Sequence, residues 1–157
     1  TRRSSDLVAV GLRQPEWANA AVKDYLGRFP KDFSVSVKEV KAEPRAGQPA
    51  KRLMELEAER IRKAIPSGDI VVAMDEHGRD FTTMDFAKKF EGWKNEGCGV
   101  TFLIGGADGL DAELKKSARM MLRLSSMTLP HAFARVMLVE QIYRVWSILN
   151  NHPYHRA

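Results

Sequence analysis

Short apolar runs alternate along the chain with stretches of helical period. Leu7-Val8-Ala9-Val10-Gly11 is a continuous apolar run closed by glycine, the pattern of a buried strand. From Pro15 to Phe29, Trp17, Ala21, Val22, Tyr25, Leu26 and Phe29 recur at helical spacing, and Pro30 stops the helix. Phe33 to Val40 alternates apolar and polar, as a half-exposed strand does. Lys41 to Ala50 holds two prolines and a glycine and reads as a loop. Met54, Ala58, Ile61 and Ile65 give Ala50–Ile65 one apolar face, and Pro66 ends that helix. Asp69 to Met74 is a buried strand that stops at a turn, Asp75-Glu76-His77-Gly78. Thr83–Asn95 is a helix with Phe86, Phe90 and Trp93 inward, and Gly99–Ile104 is a strand running into Gly105-Gly106-Ala107-Asp108-Gly109. A short helix over Asp111–Ala118 precedes a strand end at Leu122–Leu124. Strands alternating with helices predict an α/β fold, a mostly parallel sheet flanked by helices on both faces.

The last third of the chain departs from simple amphipathicity. After the small and polar loop Ser125–Leu129, Pro130 opens a helix reaching about Asn150, ~20 residues or roughly 30 Å long. Proline suits a first turn because the N–H it lacks has no partner there. Phe133, Val136, Met137, Leu138, Val139, Ile142, Tyr143, Val145, Trp146, Ile148 and Leu149 cover most of the helix circumference. A helix apolar all round is buried all round, which predicts one face in the protomer core and another against a second subunit. One polar line survives, Glu140, Arg144, Ser147 and Asn151, and Glu140 to Arg144 is the favourable i,i+4 order.

Composition narrows the class. A chain of 157 residues, 44% hydrophobic and 29% charged, makes one soluble domain with a sizeable core. That domain is expected over residues 7–157. Thr1 to Asp6 has no apolar segment behind its arginines and is set aside as a leader or disordered start. No apolar run approaches the ~20 residues of a membrane span. The single cysteine, Cys98, forbids an intramolecular disulfide framework and suits a reducing cytoplasm. The net charge of +5 favours a polyanionic partner such as RNA. Arg45, Lys51 and Arg52, in and just after the proline loop, are candidate phosphate contacts.

Ligands of open α/β sheets sit outside the carboxyl ends of the strands. Three strand ends have suitable composition: Met74-Asp75, Ile104-Gly105-Gly106 and Leu124–Leu129. Gly105, Gly106 and Gly109 do not spell G-x-G-x-x-G, and no Gly-Lys-Ser/Thr follows, which argues against a dinucleotide site and a P-loop. His131, His152 and His155 match no zinc spacing, so no metal is expected.

Four separated stretches carry a specific resemblance. Leu103–Gly109 (LIGGADG), Leu124–His131 (LSSMTLPH), Arg135–Trp146 (RVMLVEQIYRVW) and the ending Asn151–Arg156 (NHPYHR) closely resemble one bacterial family. It is the family of pseudouridine N3-methyltransferases of large-subunit ribosomal RNA, within the SPOUT superfamily. Leu7–Gly11 and Tyr25–Pro30 (YLGRFP) match at its front, so the resemblance spans nearly the whole chain. It implies a SPOUT-type sheet with a C-terminal deep trefoil knot, a feature that runs against the general rarity of knots. It implies S-adenosylmethionine as methyl donor, held by Met74, Gly105, Gly106 and the run Leu124, Ser125, Ser126, Met127, Thr128, Leu129 and Pro130. It implies a homodimer through the long helix, acting on N3 of a pseudouridine in the helix 69 loop of the large-subunit RNA, with the ribosome forming part of the recognition surface. The sulfonium is already a good leaving centre, so the protein has to align the partners and let N3 lose its proton. His131, Tyr154 and His155 are the candidates for that proton, with Glu140 and Arg144 orienting base or phosphate, and Arg156 gripping RNA beside an aromatic ring. The alternative is a non-enzymatic basic RNA- or ribosome-binding protein of the same fold.

Overall fold

The structure, a computed structural model, describes residues 3–11, 13–45, 47–106 and 108–156. Thr1, Arg2, Ala107 and Ala157 of the expectations above lie outside them. Five strands, β1 (Arg3–Gly11), β2 (Phe33–Lys41), β3 (Ile70–Asp80), β4 (Val100–Ile104) and β5 (Met120–Arg123), form one sheet in the order β2-β1-β4-β3-β5, with every pairing parallel. The helices are α1 (Glu16–Leu26), α2 (Ala50–Ala64), α3 (Thr83–Asn95), α4 (Ala112–Ser117) and α5 (His131–Leu149). Successive strand residues point to opposite faces, and the sheet divides accordingly. Leu7 and Ala9 join Val72, Phe102 and Leu122 against α1, α3 and α5, while Val8 and Val10 join Ala73 and Leu103 against α2 and α4. Burial on both faces is why these strands read as unbroken apolar runs.

Two expectations are corrected. Residues 3–6, set aside from the fold, form the first part of β1, pairing with β2 from Arg3↔Phe33 onward. Asp6 is buried there because Ser36 donates a hydrogen bond to it and Lys38 reaches its other oxygen at 3.1 Å. The turn expected at Asp75–Gly78 interrupts β3 without ending it. Met74 and Arg79 both register with Leu122, so the intervening residues bulge out and Arg79-Asp80 return to pair with β5. Gly78 permits that return: a Cβ there would sit 2.7 Å from the backbone N and C of Leu122.

α5 packs on α1 and α3 and buries Leu138, Val139, Ile142, Tyr143 and Val145. Pro130 is its N-cap, one residue before the first turn where it was expected. Phe133 and Met137 remain exposed, and Phe133 meets exposed Trp17 of α1 with ring centroids 4.7 Å apart. No helix among the described residues is long and apolar enough to cross a membrane.

Candidate active site

The carboxyl ends of β3, β4 and β5 meet around a cavity of about 620 Å³, within the ~300–1,000 Å³ typical of small-molecule sites. Three turns wall it: Met74–His77 after the first part of β3, Gly105–Leu110 after β4, and Leu124–Leu129 after β5, with His131 at the start of α5 closing one side. The glycine turn is tight. Gly109 donates a backbone hydrogen bond to Gly106 at 3.0 Å and takes φ +85°, a region glycine enters freely. At Gly105 a Cβ would lie 2.4 Å from the carbonyl carbon of Gly109, so only glycine fits. In the last turn, Ser125 Oγ accepts from the Met127 N–H at 2.9 Å. Among the described residues, no other backbone group of Ser125–Leu129 has a protein hydrogen-bond partner. Free amide edges beside apolar walls (Met74, Ile104, Leu110, Leu122, Leu129) are what an adenine requires of its site. Of the residues expected to hold the methyl donor, Met74, Gly105, Gly106, Leu124, Ser125, Met127, Thr128 and Leu129 line the cavity, whereas Ser126 and Pro130 do not. Met127 stands at the rim, 77% exposed, and makes no apolar wall.

Sequence reasoning passed over the ion pair inside the cavity. Lys115 Nζ lies 2.7 Å from Asp75 Oδ2, and the His77 N–H donates to Asp75 Oδ1 at 2.8 Å. Burial pushes the Asp75 carboxyl up, but Lys115 and the His77 amide outweigh it and hold the group below the usual carboxylate range. The only sequence signal was a charged residue one step past a buried strand.

His131 sits in a fixed relay. The buried Arg135, one turn further along α5, donates from Nη2 to His131 Nε2 at 3.0 Å and from Nη1 to Glu39 Oε1 of β2 at 2.6 Å. The guanidinium can only donate, so His131 carries its proton on Nδ1, which donates to the Gly105 carbonyl at 3.1 Å. Burial first, then the Arg135 charge, lowers the His131 pKa below 6.5. The imidazole is therefore neutral and its one lone pair is engaged. It fastens the start of α5 to the glycine turn and has no free nitrogen for a substrate proton. The sign of its pH dependence follows. With the folded pKa depressed, its contribution to stability is complete above pH 6.5 and is lost as pH falls below that value. Urea unfolding at pH 7.5 and 5.5 should show a larger acid loss for the native chain than for His131→Gln, whose amide can make the same two bonds without titrating.

The remaining catalytic candidates gather at the other end of α5. Glu140 Oε1 accepts from Arg144 Nη2 at 2.7 Å and from the Tyr154 hydroxyl at 3.0 Å. Tyr154 also shares a hydrogen bond with Tyr25 at 2.9 Å and packs edge-on against Tyr143 at 4.7 Å. Arg28 lies over the rings of Tyr25, Tyr143 and Tyr154. Burial, then the bonds to Tyr25 and Glu140, raises the Tyr154 pKa well above 10.0, so it stays a phenol. The tail is thus folded: Pro153–His155 form one 3-10 turn on α5. Ser147 Oγ donates its single proton to the His152 carbonyl at 2.8 Å and therefore accepts from His155 Nδ1, also at 2.8 Å. That leaves His155 Nε2 with its lone pair. Tyr25 and Arg28 belong to the matched YLGRFP stretch, but their place in this cluster had no signal in spacing.

Within one protomer the two groups do not meet. None of Glu140, Arg144, Tyr154 and His155 lines the cavity. At ~1.5 Å per residue, Glu140 lies about 13 Å and Ser147 about 24 Å along α5 from His131. The RNA-binding candidates are also spread out. Arg45 pairs with Asp108 on the cavity rim, Arg52 with Glu55 at 3.2 Å, Lys51 is exposed in the first turn of α2, and Arg156 is exposed beyond the 3-10 turn. Among the described residues no group of three or more His, Cys, Asp or Glu is placed to hold a metal ion.

Comparison with known proteins gives a consistent picture. Residues 4–155 match the family model described as "Predicted SPOUT methyltransferase". The ribosomal RNA large subunit methyltransferase H of Bordetella avium is 50% identical over 152 residues, covering 96% of this chain and 97% of the relative. The protein of the same name from Polynucleobacter asymbioticus is 53% identical over 150 residues, with the same coverage. Among solved structures, a methylase family protein from Haemophilus influenzae superposes with TM-score 0.56 at 14% identity, covering 98% of this chain and 70% of that one. One from Neisseria gonorrhoeae does so with TM-score 0.51 at 13% identity, covering 90% and 82%. Likeness at that identity bears on the fold alone.

Proposed function

This chain belongs to the SPOUT methyltransferase family, and from that premise we propose that it methylates N3 of a pseudouridine in the helix 69 loop of large-subunit ribosomal RNA. The full-length relatives are ribosomal RNA large subunit methyltransferases, and this chain is an enzyme of that kind. The observation that carries the methyl-transfer part of this reading is the meeting of three turns around one cavity whose corner at Gly105 admits no side chain; the target nucleoside rests on the sequence resemblance. S-adenosylmethionine, when bound, supplies a methyl group on a sulfonium that a nucleophile can attack in line. The cavity suits it in size, in its apolar walls and in the free amide edge of Ser125–Leu129. Gly105 and Gly106 bring backbone close to it, and the Asp75–Lys115 pair offers charge at the polar end.

The chain's own contribution is alignment and proton handling. His131 and Arg135 hold the glycine turn and α5 in fixed relation, which would keep the cavity preorganised for in-line attack; correct alignment alone can be worth ~7–11 kcal/mol of a barrier. His155 is the proton acceptor this geometry favours, because Nε2 is its free nitrogen. Tyr154 stays protonated and, with Glu140 and Arg144, positions the tail and the base.

The same reading makes the working unit a homodimer. The face Phe133, Met137, Glu140, Arg144 runs along α5 at steps of four, three and four, and its first two residues are exposed with Trp17 beside them. A second copy laid antiparallel on that face would bring its tail toward this cavity, which the protomer's own tail, about 24 Å away along the helix, does not reach. A C-terminal trefoil knot, as the resemblance implies, is part of the same reading.

The test is transfer of a labelled methyl group to free ribosomal RNA, isolated large subunits and whole ribosomes, with the product nucleoside read by mass spectrometry. N3-methylpseudouridine, strongest on assembled particles, is expected. Saturable binding of the methyl donor with no methylated nucleoside on any of the three would refute the substrate assignment. Absence of donor binding as well would leave an RNA-binding protein.

A further inference from the structure

A second concavity, of about 500 Å³, lies between α3 and the edge of the sheet at β5. Its lining is cationic: Arg79, Lys88, Lys89 and Arg119, against Asp85 and Glu96. Glu96 is taken by Arg119, whose Nη1 lies 3.3 Å away. Arg79, Lys88 and Lys89 are exposed and have no ion pair among the described residues. The Arg79 guanidinium lies over the Phe81 ring, 5.2 Å from its centroid, which sets a cation and an aromatic face side by side. Gly92, in the interior of α3, faces the groove, and nothing stands within 4 Å of where its Cβ would be. Glycine weakens a helix interior relative to almost any other residue. Its effect here is to leave the groove floor open.

We propose that this groove holds the sugar-phosphate backbone of the RNA substrate, with Lys88 and Lys89 on phosphates and an unpaired base against Phe81 and Arg79. The inference rests on the RNA-methyltransferase reading and adds a second contact surface to it. Uncompensated cations beside an aromatic ring are the chemistry that single-stranded RNA uses, whereas an acidic peptide would have no use for the ring. The placement also fits. β5 contributes Met120 to the groove and Leu122 and Arg123 to the cavity, and Asp80, between Arg79 and Phe81, binds Arg123 at 2.6 Å. RNA held in the groove is therefore one strand away from the cavity.

The test uses the full chain and a fluorescein-labelled ten-nucleotide oligouridylate, with isolated large subunits as the second probe. Lys88→Glu/Lys89→Glu should raise the oligouridylate Kd at least tenfold and flatten the plot of log affinity against log salt by about 1.4, since each lost phosphate contact removes ~0.7. Lys23→Glu/Lys63→Glu, exposed lysines of α1 and α2 with the same change in net charge, should alter Kd less than threefold. Gly92→Gln should weaken binding comparably while unfolding at the same or a higher temperature. On large subunits the Lys88/Lys89 variant should show a raised KM and a kcat within twofold of the native value. Equal effects from both lysine pairs would reduce the groove to net charge and overturn the proposal, as would native affinity in the Gly92→Gln chain. Weakened binding to subunits with unchanged oligouridylate affinity would mean a ribosomal protein docks there, and would also overturn it. If the native chain methylates nothing while these binding shifts hold, the groove stands and the enzymatic reading falls.

Discussion

Gly105→Ala is expected to abolish methyl transfer and weaken methyl-donor binding by about ten- to a hundredfold, measured by calorimetry. The new Cβ would lie 2.4 Å from the Gly109 carbonyl carbon, 2.6 Å from its oxygen and 2.7 Å from the Leu110 nitrogen. All three are backbone atoms of the turn that forms the cavity corner, so no side chain can step aside. The turn must open, at an overpacking cost of ~1–3 kcal/mol, and it carries with it the Gly105 carbonyl that fixes His131. The fold should survive, because of the turn's described residues only Leu110 belongs to the core. Gly106→Ala is the control. Its Cβ would meet Val10 Cγ1 at 3.2 Å and Glu57 Oε1 at 3.4 Å, much looser contacts than the backbone clash at Gly105, and donor binding should fall less than tenfold. A Gly105→Ala chain that binds the donor normally would remove the cavity from the account.

Deleting Tyr154–Ala157 is expected to have the opposite profile, with donor binding kept and transfer lost. The deletion removes the Tyr154 hydroxyl from Glu140 and Tyr25, and takes His155 from Ser147. None of Tyr154, His155 and Arg156, the described residues of the deleted segment, lines the cavity. Glu140 keeps its bond to Arg144 and Gln141, so it is not left buried without a partner. Normal transfer by the truncated chain on large subunits would show that the tail has no part in the reaction.

The architecture was legible because the sheet is parallel and covered on both faces. Burial on both sides turned Leu7–Val10, Ile70–Ala73 and Phe102–Ile104 into continuous apolar runs, and the intervening helices kept clear periods. The boundaries failed where polar residues find partners inside the fold. Asp6 looked like part of a leader, yet Ser36 and Lys38 satisfy it at the edge of the core. Asp75–Gly78 looked like a turn that ends the strand, because the return of Arg79 and Asp80 to β5 depends on a bulge and on Gly78, neither of which has a period. The cavity residues were accessible from strand ends plus glycine and serine, and most of them do line it. The Glu39–Arg135–His131 relay was not accessible: Glu39 has the look of a solvent-side strand position, and its partner lies 96 residues further along the chain. Of the apolar positions around the long helix, Phe133 and Met137 remain uncovered in the protomer.

The central claim is that each site joins the cavity of one copy to the tail of another. It is tested by mixing two inactive chains, Gly105→Ala and the Tyr154–Ala157 deletion, after unfolding and refolding them together. A mixed dimer then holds one complete site, intact cavity and intact tail from different copies, and should recover about half the native rate per dimer. If each variant is inactive alone, mixed dimers form, and the mixture stays inactive, the tail does not serve a partner's cavity and the account is contradicted.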